Sequence, residues 1–162
     1  MVEIINHDLL ALDCDIICHQ VNCQSVMGSG IAKQIKTKYP NVYREYLEYC
    51  KDKNPKNLLG RCQLIEIDNN KYCANLFGQL NYGYDGQVFT DYSALLCCFM
   101  NLKDICNYFI HESKKFKTIT IGIPYKIGCG LGGGDWNKVF KIISDVFTAD
   151  ENIIVKICKI NN

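Results

Sequence analysis

The sequence predicts a single α/β domain built around one mixed β-sheet. Strand-like and helix-like segments alternate along the 162 residues. Residues 15–21, "DIICHQV", form a nearly continuous apolar run, which is typical of a parallel strand buried on both faces. Two glycine-rich stretches, "VMGSGIA" (26–32) and "IGCGLGGGDW" (127–136), each stand between a strand-like run and a helix-like run.

Six segments have the composition of strands, and the third and fourth are separated by only a few polar residues. The segments cover residues 2–6, 15–21, 60–67, 71–77, 117–125 and 152–160. Because Asp68, Asn69 and Asn70 favour turns, we expect the segments 60–67 and 71–77 to pair as a hairpin.

Helical composition marks the segments between these strands. A first helix, 31–39, is stopped before Pro40, and this proline suits the first turn of a second helix over 40–53. Thr90 or Asp91 caps a long third helix that ends near Glu112, and a fourth covers 136–147. The polar stretch 51–57 and the glycine- and aromatic-rich stretch 78–90 are expected to be loops. The length of 78–90 favours a functional loop.

Composition and charge exclude some classes of protein. The net charge is +1 and the pI is near 7.4, so bulk charge does not indicate a surface for gripping nucleic acid or membrane. Binding of a single nucleotide, or of one modified end, needs no such charge. No apolar run approaches the ~18 residues of a membrane span. We expect a single domain over 1–162, monomeric and cytoplasmic.

The eleven cysteines are expected to be buried free thiols in a reducing compartment, because most stand within apolar runs and none forms a C-x-x-C pair. A zinc site at Cys14, Cys18 and Cys23 is the alternative, although their spacing is unlike that of the usual ligand pairs. We therefore expect neither a metal nor a cofactor.

The second glycine stretch satisfies the dinucleotide fingerprint G-x-G-x-x-G at Gly128, Gly130 and Gly133. A dinucleotide fold, however, places an acid at the end of the next strand, and here that strand carries Lys156 and Lys159. Two glycine loops beside helix starts favour instead a pair of anion sites that enclose a diphosphate. The alternative is that both loops are only tight turns.

These residues resemble the macrodomain family. Residues 5–40, "INHDLLALDCDIICHQVNCQSVMGSGIAKQIKTKYP", are similar to the N-terminal half of a macrodomain, and "IPYKIGCGLGGGDW" (123–136) to its second phosphate loop. "VMGSGIA", "LLGRC" and "NLFGQ" are most similar to the branch of ADP-ribose-1″-phosphate phosphatases, terminal ADP-ribose glycohydrolases and macrodomain antitoxins. The resemblance implies a three-layer α/β/α macrodomain sandwich with a six-stranded mixed sheet and an ADP-ribose cleft at the strand ends.

The resemblance also implies a set of ligand contacts. Asp8 would accept a hydrogen bond from the adenine amino group beside the backbone of Leu9, and Asn22 would bond the distal ribose. Phe77, or an aromatic residue of 78–90, would cover the adenine or ribose. The remaining contacts would be main-chain N–H groups around the diphosphate and distal ribose: Met27, Gly28, Ser29, Gly30 and Ile31 in the first loop, and Ile127, Gly128, Cys129, Gly130 and Leu131 in the second.

Structural alternatives exist for the polar candidates. Asp8 could cap the turn at Leu9 and Leu10, and Asn22 could satisfy backbone groups at a strand end. Asp135 stands at an N-cap position, for which we expect a structural role. His19 matches a histidine of the phosphatases, yet strand alternation places it on the face opposite Asn22, where a packed histidine is expected.

The chain also departs from the family pattern. The glycohydrolases and antitoxins of this branch use a lysine just after the "NLF" strand, where this chain has Gly78 and Gln79. Their second-loop aspartate falls near Gly132. A glutamine cannot form the covalent adduct that an amine can.

Three functions remain open: hydrolysis of ADP-ribosyl linkages on protein or nucleic acid, dephosphorylation of ADP-ribose-1″-phosphate, and non-catalytic reading of ADP-ribose. We expect catalysis by a water held near the distal ribose by Asn22 and the second loop, with His19 active only if the protein is a phosphatase.

Overall fold

The computed structural model describes residues 1–161 and contains a mixed sheet of six strands. The strands are β1 (Val2–Asn6), β2 (Ile16–Asn22), β3 (Cys62–Asp68), β4 (Lys71–Gln79), β5 (Ile119–Pro124) and β6 (Ile153–Lys159). Their order across the sheet is β1-β6-β5-β2-β4-β3. All neighbouring pairs are parallel except β3 and β4, which form the expected antiparallel hairpin at one edge.

Helices cover both faces of this sheet. They are α1 (Gly30–Lys38), α2 (Pro40–Cys50), α3 (Pro55–Leu58), α4 (Tyr92–Asn107) and α5 (Trp136–Phe147). One core contains the buried faces of α4 and α5, and the other contains those of α1, α2 and α3. Along β2 the side chains alternate between these cores, with Cys18 in the first and Ile17 in the second. The predicted three-layer α/β/α sandwich with a six-stranded mixed sheet is confirmed.

Three local predictions need correction. The stretch 51–57 contains the short helix α3, because Asn54 caps the Lys56 amide and Pro55 occupies the first turn. Strand β4 continues through Gly78 and Gln79, since Gln79 pairs with Asn22 and bridges to Thr90. Helix α4 is capped by Asp91 and ends at Asn107, after which Tyr108–Glu112 forms a turn of π-helix.

The cysteines are free thiols, and eight of the eleven are buried. Burial raises the pKa of Cys23 and of Cys62 to about 12, so these side chains are neutral and pack as small apolar groups. Within residues 1–161, no group of three His, Cys, Asp or Glu side chains is placed to hold a metal ion. No helix among these residues is long and apolar enough to cross a membrane.

A buried polar chain crosses the sheet beneath α2. His19 Nε2 contacts Asn75 Oδ1 at 2.5 Å, and Asn75 Nδ2 donates to Gln63 Oε1 at 3.1 Å. Gln63 then donates to the carbonyl of Glu45 in α2 at 3.0 Å. Because the Asn75 nitrogen is committed to Gln63, its oxygen accepts from His19, which fixes the Nε2–H tautomer of the imidazole. The Nδ1 atom of His19 is buried without a partner.

We predict that His19 makes stability depend on pH. Desolvation by burial lowers the pKa of His19 to about 4 from 6.5. Between these values the unfolded chain binds a proton that the folded chain does not. The contribution of His19 to the free energy of unfolding is therefore fully present above about pH 6.5. It falls by about 1.4 kcal/mol per pH unit as the pH drops toward 4. Urea unfolding at pH 4.5 to 7.5 measures this slope.

His19→Gln removes the titrating group and should reduce the slope by the contribution of one proton. His111→Gln, at an exposed histidine, controls for the loss of a histidine elsewhere. Identical pH profiles for the wild type and His19→Gln would contradict the assignment.

Candidate functional site

A cleft of about 310 Å³ opens at the carboxyl ends of β2, β4 and β5, within the size range of small-molecule sites. The carboxyl ends of parallel strands meet at one edge of a sheet, which brings together loops that are distant in sequence. The first glycine loop (26–32) forms one wall, and the second glycine loop (127–136) forms the other. The tyrosine-bearing segment 82–84 stands at the rim.

The first glycine loop places an uncapped helix start at the cleft. Helix α1 begins at Gly30, and Ser29 precedes it without a side-chain capping hydrogen bond. The opening N–H groups of a helix have no partner within the helix. Those of α1 are therefore available to an anion, which the helix dipole also favours. Gly30 has φ +59°, and a Cβ added there would meet no atom within 4 Å, so its α-carbon faces open space.

The second glycine loop differs from this arrangement. Asp135 caps α5 by accepting a hydrogen bond from the Asn137 amide at 2.8 Å, as expected, so α5 does not offer an uncapped start. The amides of Ile127 and Cys129 donate within the loop, to Pro124 and Lys126. We expected these two amides to contact the ligand; both are hydrogen-bonded within the loop, and their contact with a ligand stays a prediction. Cys129 also does not line the cleft.

The glycines of the second loop have separate physical roles. Gly128 and Gly130 line the cleft, and Gly130 has open space at its α-carbon. Gly133 instead packs against the segment before α4, where a Cβ would lie 2.6 Å from the Gln87 carbonyl oxygen. The Gly132 carbonyl accepts hydrogen bonds from the amides of residues 89 and 90. The clustering of glycines therefore reflects loop-on-loop packing as much as access for a ligand.

Asn22 lines the cleft, but its amide group is engaged by the first loop. Its Nδ2 donates to the Val26 carbonyl at 2.8 Å, and its Oδ1 accepts from the Gln24 amide at 2.9 Å. The Tyr46 hydroxyl lies 2.6 Å from the Asn22 carbonyl and 3.0 Å from its Oδ1. These contacts match the alternative prediction, in which Asn22 satisfies backbone groups at the end of a strand. A contact to a ribose stays a prediction.

Several other candidates lie away from the cleft. Asp8 caps the turn Leu9–Ala11 by accepting from the Leu10 amide at 3.0 Å, and neither Asp8 nor Leu9 lines the cleft. Met27 is buried below the first loop. His19 is fully buried in the polar chain under α2, so the catalytic role proposed for it does not fit its position.

The aromatic candidate also needs correction. Phe77 is fully buried and packs between Tyr46 and Tyr49 at ring-centroid distances of 5.8 and 5.7 Å. Strand alternation on β4 directs it into the core under α2, away from any ligand. The aromatic residues at the rim are Tyr82 and Tyr84, which are 46% and 70% exposed. They belong to the 78–90 stretch that the sequence indicated as the alternative.

Several residues that line the cleft were not predicted from the sequence. Lys126 is the one charged side chain among the described residues that line the cleft, and its position directly before the second loop could have indicated it. Gln20 and Gln79 also line the cleft, and Gln20 donates to Gln79 and to the buried Thr90 behind it. No local sequence pattern marks this hydrogen-bonded group.

The fold and the cleft define the class of protein: an α/β/α sandwich with a candidate ligand site between two glycine loops at the carboxyl ends of parallel strands. The Macro domain family model matches residues 18–143. The chain belongs to the Macro domain family.

Curated relatives differ in how much of their length the chain covers. An uncharacterized 17.5 kDa protein of Enterobacteria phage T4 is 29% identical over 96% of this chain and 95% of its own length. An ADP-ribose 1″-phosphate phosphatase of Scheffersomyces stipitis is 27% identical over 79% of this chain and 81% of its own. A DNA ADP-ribosyl glycohydrolase of Mycobacterium tuberculosis is 27% identical over 86% of this chain, which spans 37% of that enzyme.

Solved structures support the fold. The macrodomain of Mycobacterium tuberculosis DarG superposes with a TM-score of 0.77 at 22% identity, over 99% of this chain and 100% of that one. Thermosipho africanus DarTG in complex with ADP-ribose gives a TM-score of 0.70 at 18% identity, over 96% of this chain and 41% of that one.

We predict that Asn22→Ala destabilises the protein by about 1–3 kcal/mol, because it leaves part-buried backbone groups of Gln24 and Val26 unpaired. Urea unfolding measures the change. Asn22→Asp keeps the acceptor but loses the Nδ2 donor to Val26, and should be intermediate. A stability of Asn22→Ala equal to that of the wild type would show that the loop does not depend on this amide.

Proposed function

We propose that the cleft binds ADP-ribose, with the diphosphate held between the start of α1 and the second glycine loop. The observation that carries the proposal is the uncapped start of α1, which faces the second loop across a single cleft. Lys126 supplies the positive side chain at this wall. The chemistry named for the phosphatase and glycohydrolase relatives supports the same ligand.

We predict micromolar to millimolar binding of ADP-ribose by calorimetry, with AMP and NAD as comparison ligands. Absence of binding at millimolar ADP-ribose would contradict the proposal. Gly30→Glu should weaken binding by at least about 100-fold, because it places a carboxylate where the α1 amides meet the phosphate and removes charge-assisted hydrogen bonds.

Gly86→Glu is the matched control for Gly30→Glu. Gly86 also has positive φ (+78°) and no atom within 4 Å of an added Cβ, so the two substitutions carry similar backbone strain. Gly86 does not line the cleft, and its variant should bind as the wild type does. Equal loss in both variants would assign the effect to strain.

We further propose that the protein hydrolyses ADP-ribosyl linkages on protein or nucleic acid without a covalent lysine intermediate. Gln79 stands on the cleft floor, at the position where the branch has its lysine. The described residues that line the cleft include no carboxylate. A water would attack the anomeric carbon of the distal ribose, and the bond to the leaving group would break with its electron pair. The ligand's own phosphate would accept the proton of that water. Positioning of this kind supplies up to roughly 7–11 kcal/mol of barrier reduction.

The burial of His19 removes one of the two features that favoured a phosphatase, and the likeness of "LLGRC" remains as the other. We predict that a panel of ADP-ribosylated protein, ADP-ribosylated nucleic acid and ADP-ribose-1″-phosphate yields free ADP-ribose from an ADP-ribosylated macromolecule, measured by mass spectrometry. Borohydride treatment during turnover should trap no adduct on the protein. An adduct on Lys126, or release of phosphate alone, would contradict this mechanism. Binding of ADP-ribose without cleavage of any substrate in the panel would instead indicate a non-catalytic reader of ADP-ribose.

A further inference from the structure

The floor of the cleft is held by a small network centred on Gln20. Its Nε2 donates to Gln79 Oε1 at 2.8 Å and to Thr90 Oγ1 at 2.9 Å. Thr90 Oγ1 in turn donates to the Gly128 carbonyl at 2.6 Å. The network therefore connects β2, the end of β4, the residue before the α4 cap and the second glycine loop.

Hydrogen-bonding rules fix the direction of every bond in this network. The Gly128 carbonyl can only accept, so the Thr90 hydroxyl donates to it and must accept from Gln20. Gln79 Nε2 donates to the Asn81 carbonyl at 2.8 Å, so its Oε1 is the acceptor that faces Gln20. Both N–H groups of Gln20 are thus used, and a flipped Gln20 amide would lose both bonds.

The Oε1 atom of Gln20 is buried and has no hydrogen-bond partner. The α-carbons of Gly78 and Gly128 cover it, since a Cβ on Gly78 would collide with this oxygen and one on Gly128 would lie 2.9 Å from it. An unpaired buried acceptor costs about 1–3 kcal/mol. A side chain at position 78 or 128 would therefore force the Gln20 amide to shift.

Thr90 controls the carbonyl groups of the second loop. Its hydroxyl holds the Gly128 carbonyl, and its amide donates to the Gly132 carbonyl at 2.9 Å. The Gly128 carbonyl also accepts from the Gly134 amide at 2.9 Å. Each carbonyl oxygen carries partial negative charge, so an oxygen directed into the cleft would repel a phosphate. Binding both oxygens to the floor keeps them away from an anionic ligand.

We propose that Gln20 is a positioning residue that acts on the ligand through Thr90 and Gly128, and that fixes the second glycine loop in its anion-binding conformation. The predicted effect on affinity rests on the proposed function, with ADP-ribose as the ligand. The predicted effect on the loop itself does not. The Gln20–Gln79 bond also fixes a neutral amide at the position where the branch has an amine.

The test uses two single variants that remove the network with little change in volume, Gln20→Leu and Thr90→Val. We expect each to weaken ADP-ribose binding about tenfold by calorimetry, and the double variant to be no weaker than either single one. Thr90→Ser keeps the hydroxyl and should bind within about twofold of the wild type. Gln24→Leu is the matched control, because the Gln24 side chain bonds Leu80 and Asn81 near the end of β4 without lining the cleft.

Hydrogen exchange of the ligand-free protein provides a second readout. The amides of Cys129 and Gly134 close the loop by hydrogen bonds, and their exchange should accelerate in Gln20→Leu and Thr90→Val while the amides of α5 stay unchanged. Wild-type affinity and exchange in both variants would overturn the proposal. If Gln20→Leu does not fold, the comparison of Thr90→Val with Thr90→Ser tests the proposal, because only the first removes the hydroxyl. Failure of the wild type to bind ADP-ribose would instead contradict the proposed function, and the exchange arm would still decide the role of Gln20.

Discussion

The central constraint on this molecule is that β2 pairs in parallel with both of its neighbours, β5 and β4. Parallel pairing on both sides brings the carboxyl ends of these strands to one edge of the sheet. The first loop follows β2, the second follows β5, and Gln79 ends β4. The cleft therefore exists because of strand order, and every residue on its floor depends on that order. The buried apolar faces of β2 keep the strand in register, since a one-residue slip would exchange the side chains of the two cores.

The two glycine loops perform different tasks within this frame. In the first, Gly30 adopts a positive φ and leaves open space in front of an uncapped helix start. The second is a folded unit in which Asp135 caps α5 and Gly133 packs against the segment before α4. Only part of the second loop faces the cleft. In the proposed complex with ADP-ribose, this asymmetry would leave the α1 dipole to supply the electrostatic attraction and the second loop to shape the cleft.

The fold could be predicted from sequence because its signals are local. The apolar run of β2, the hairpin turn, Pro40 and the composition of 136–147 each act within a few residues, and each gave the correct element. Helix α3 was missed although Asn54 and Pro55 carry the usual start signals. The site was predicted less well. Asp8 had a turn-capping alternative, Asn22 a strand-end alternative, and Asp135 an expected capping role, and the structure shows these contacts. The prediction for Phe77 was wrong because the continuous apolar run of β4 gives no indication of which face meets the cleft.

The network around Gln20 shows why the rest could not be found in the sequence. Gln20 and Thr90 are 70 residues apart, and Thr90 and Gly128 are separated by 38. No periodicity connects such positions, so their bonds arise only when the sheet order brings the chain segments together. The network also changes how the missing lysine is understood. Gln79 is held by Gln20 from below and bonds the Asn81 backbone beside it, so it is an integrated part of the floor. A cleft built in this way has an uncharged distal end, and its one lining cation, Lys126, stands on the opposite wall among the residues described. Under the hydrolysis proposed above, this cleft offers no carboxylate among its described lining residues and an amide in place of the branch's lysine, so the geometry of the floor would control how water and ligand are positioned.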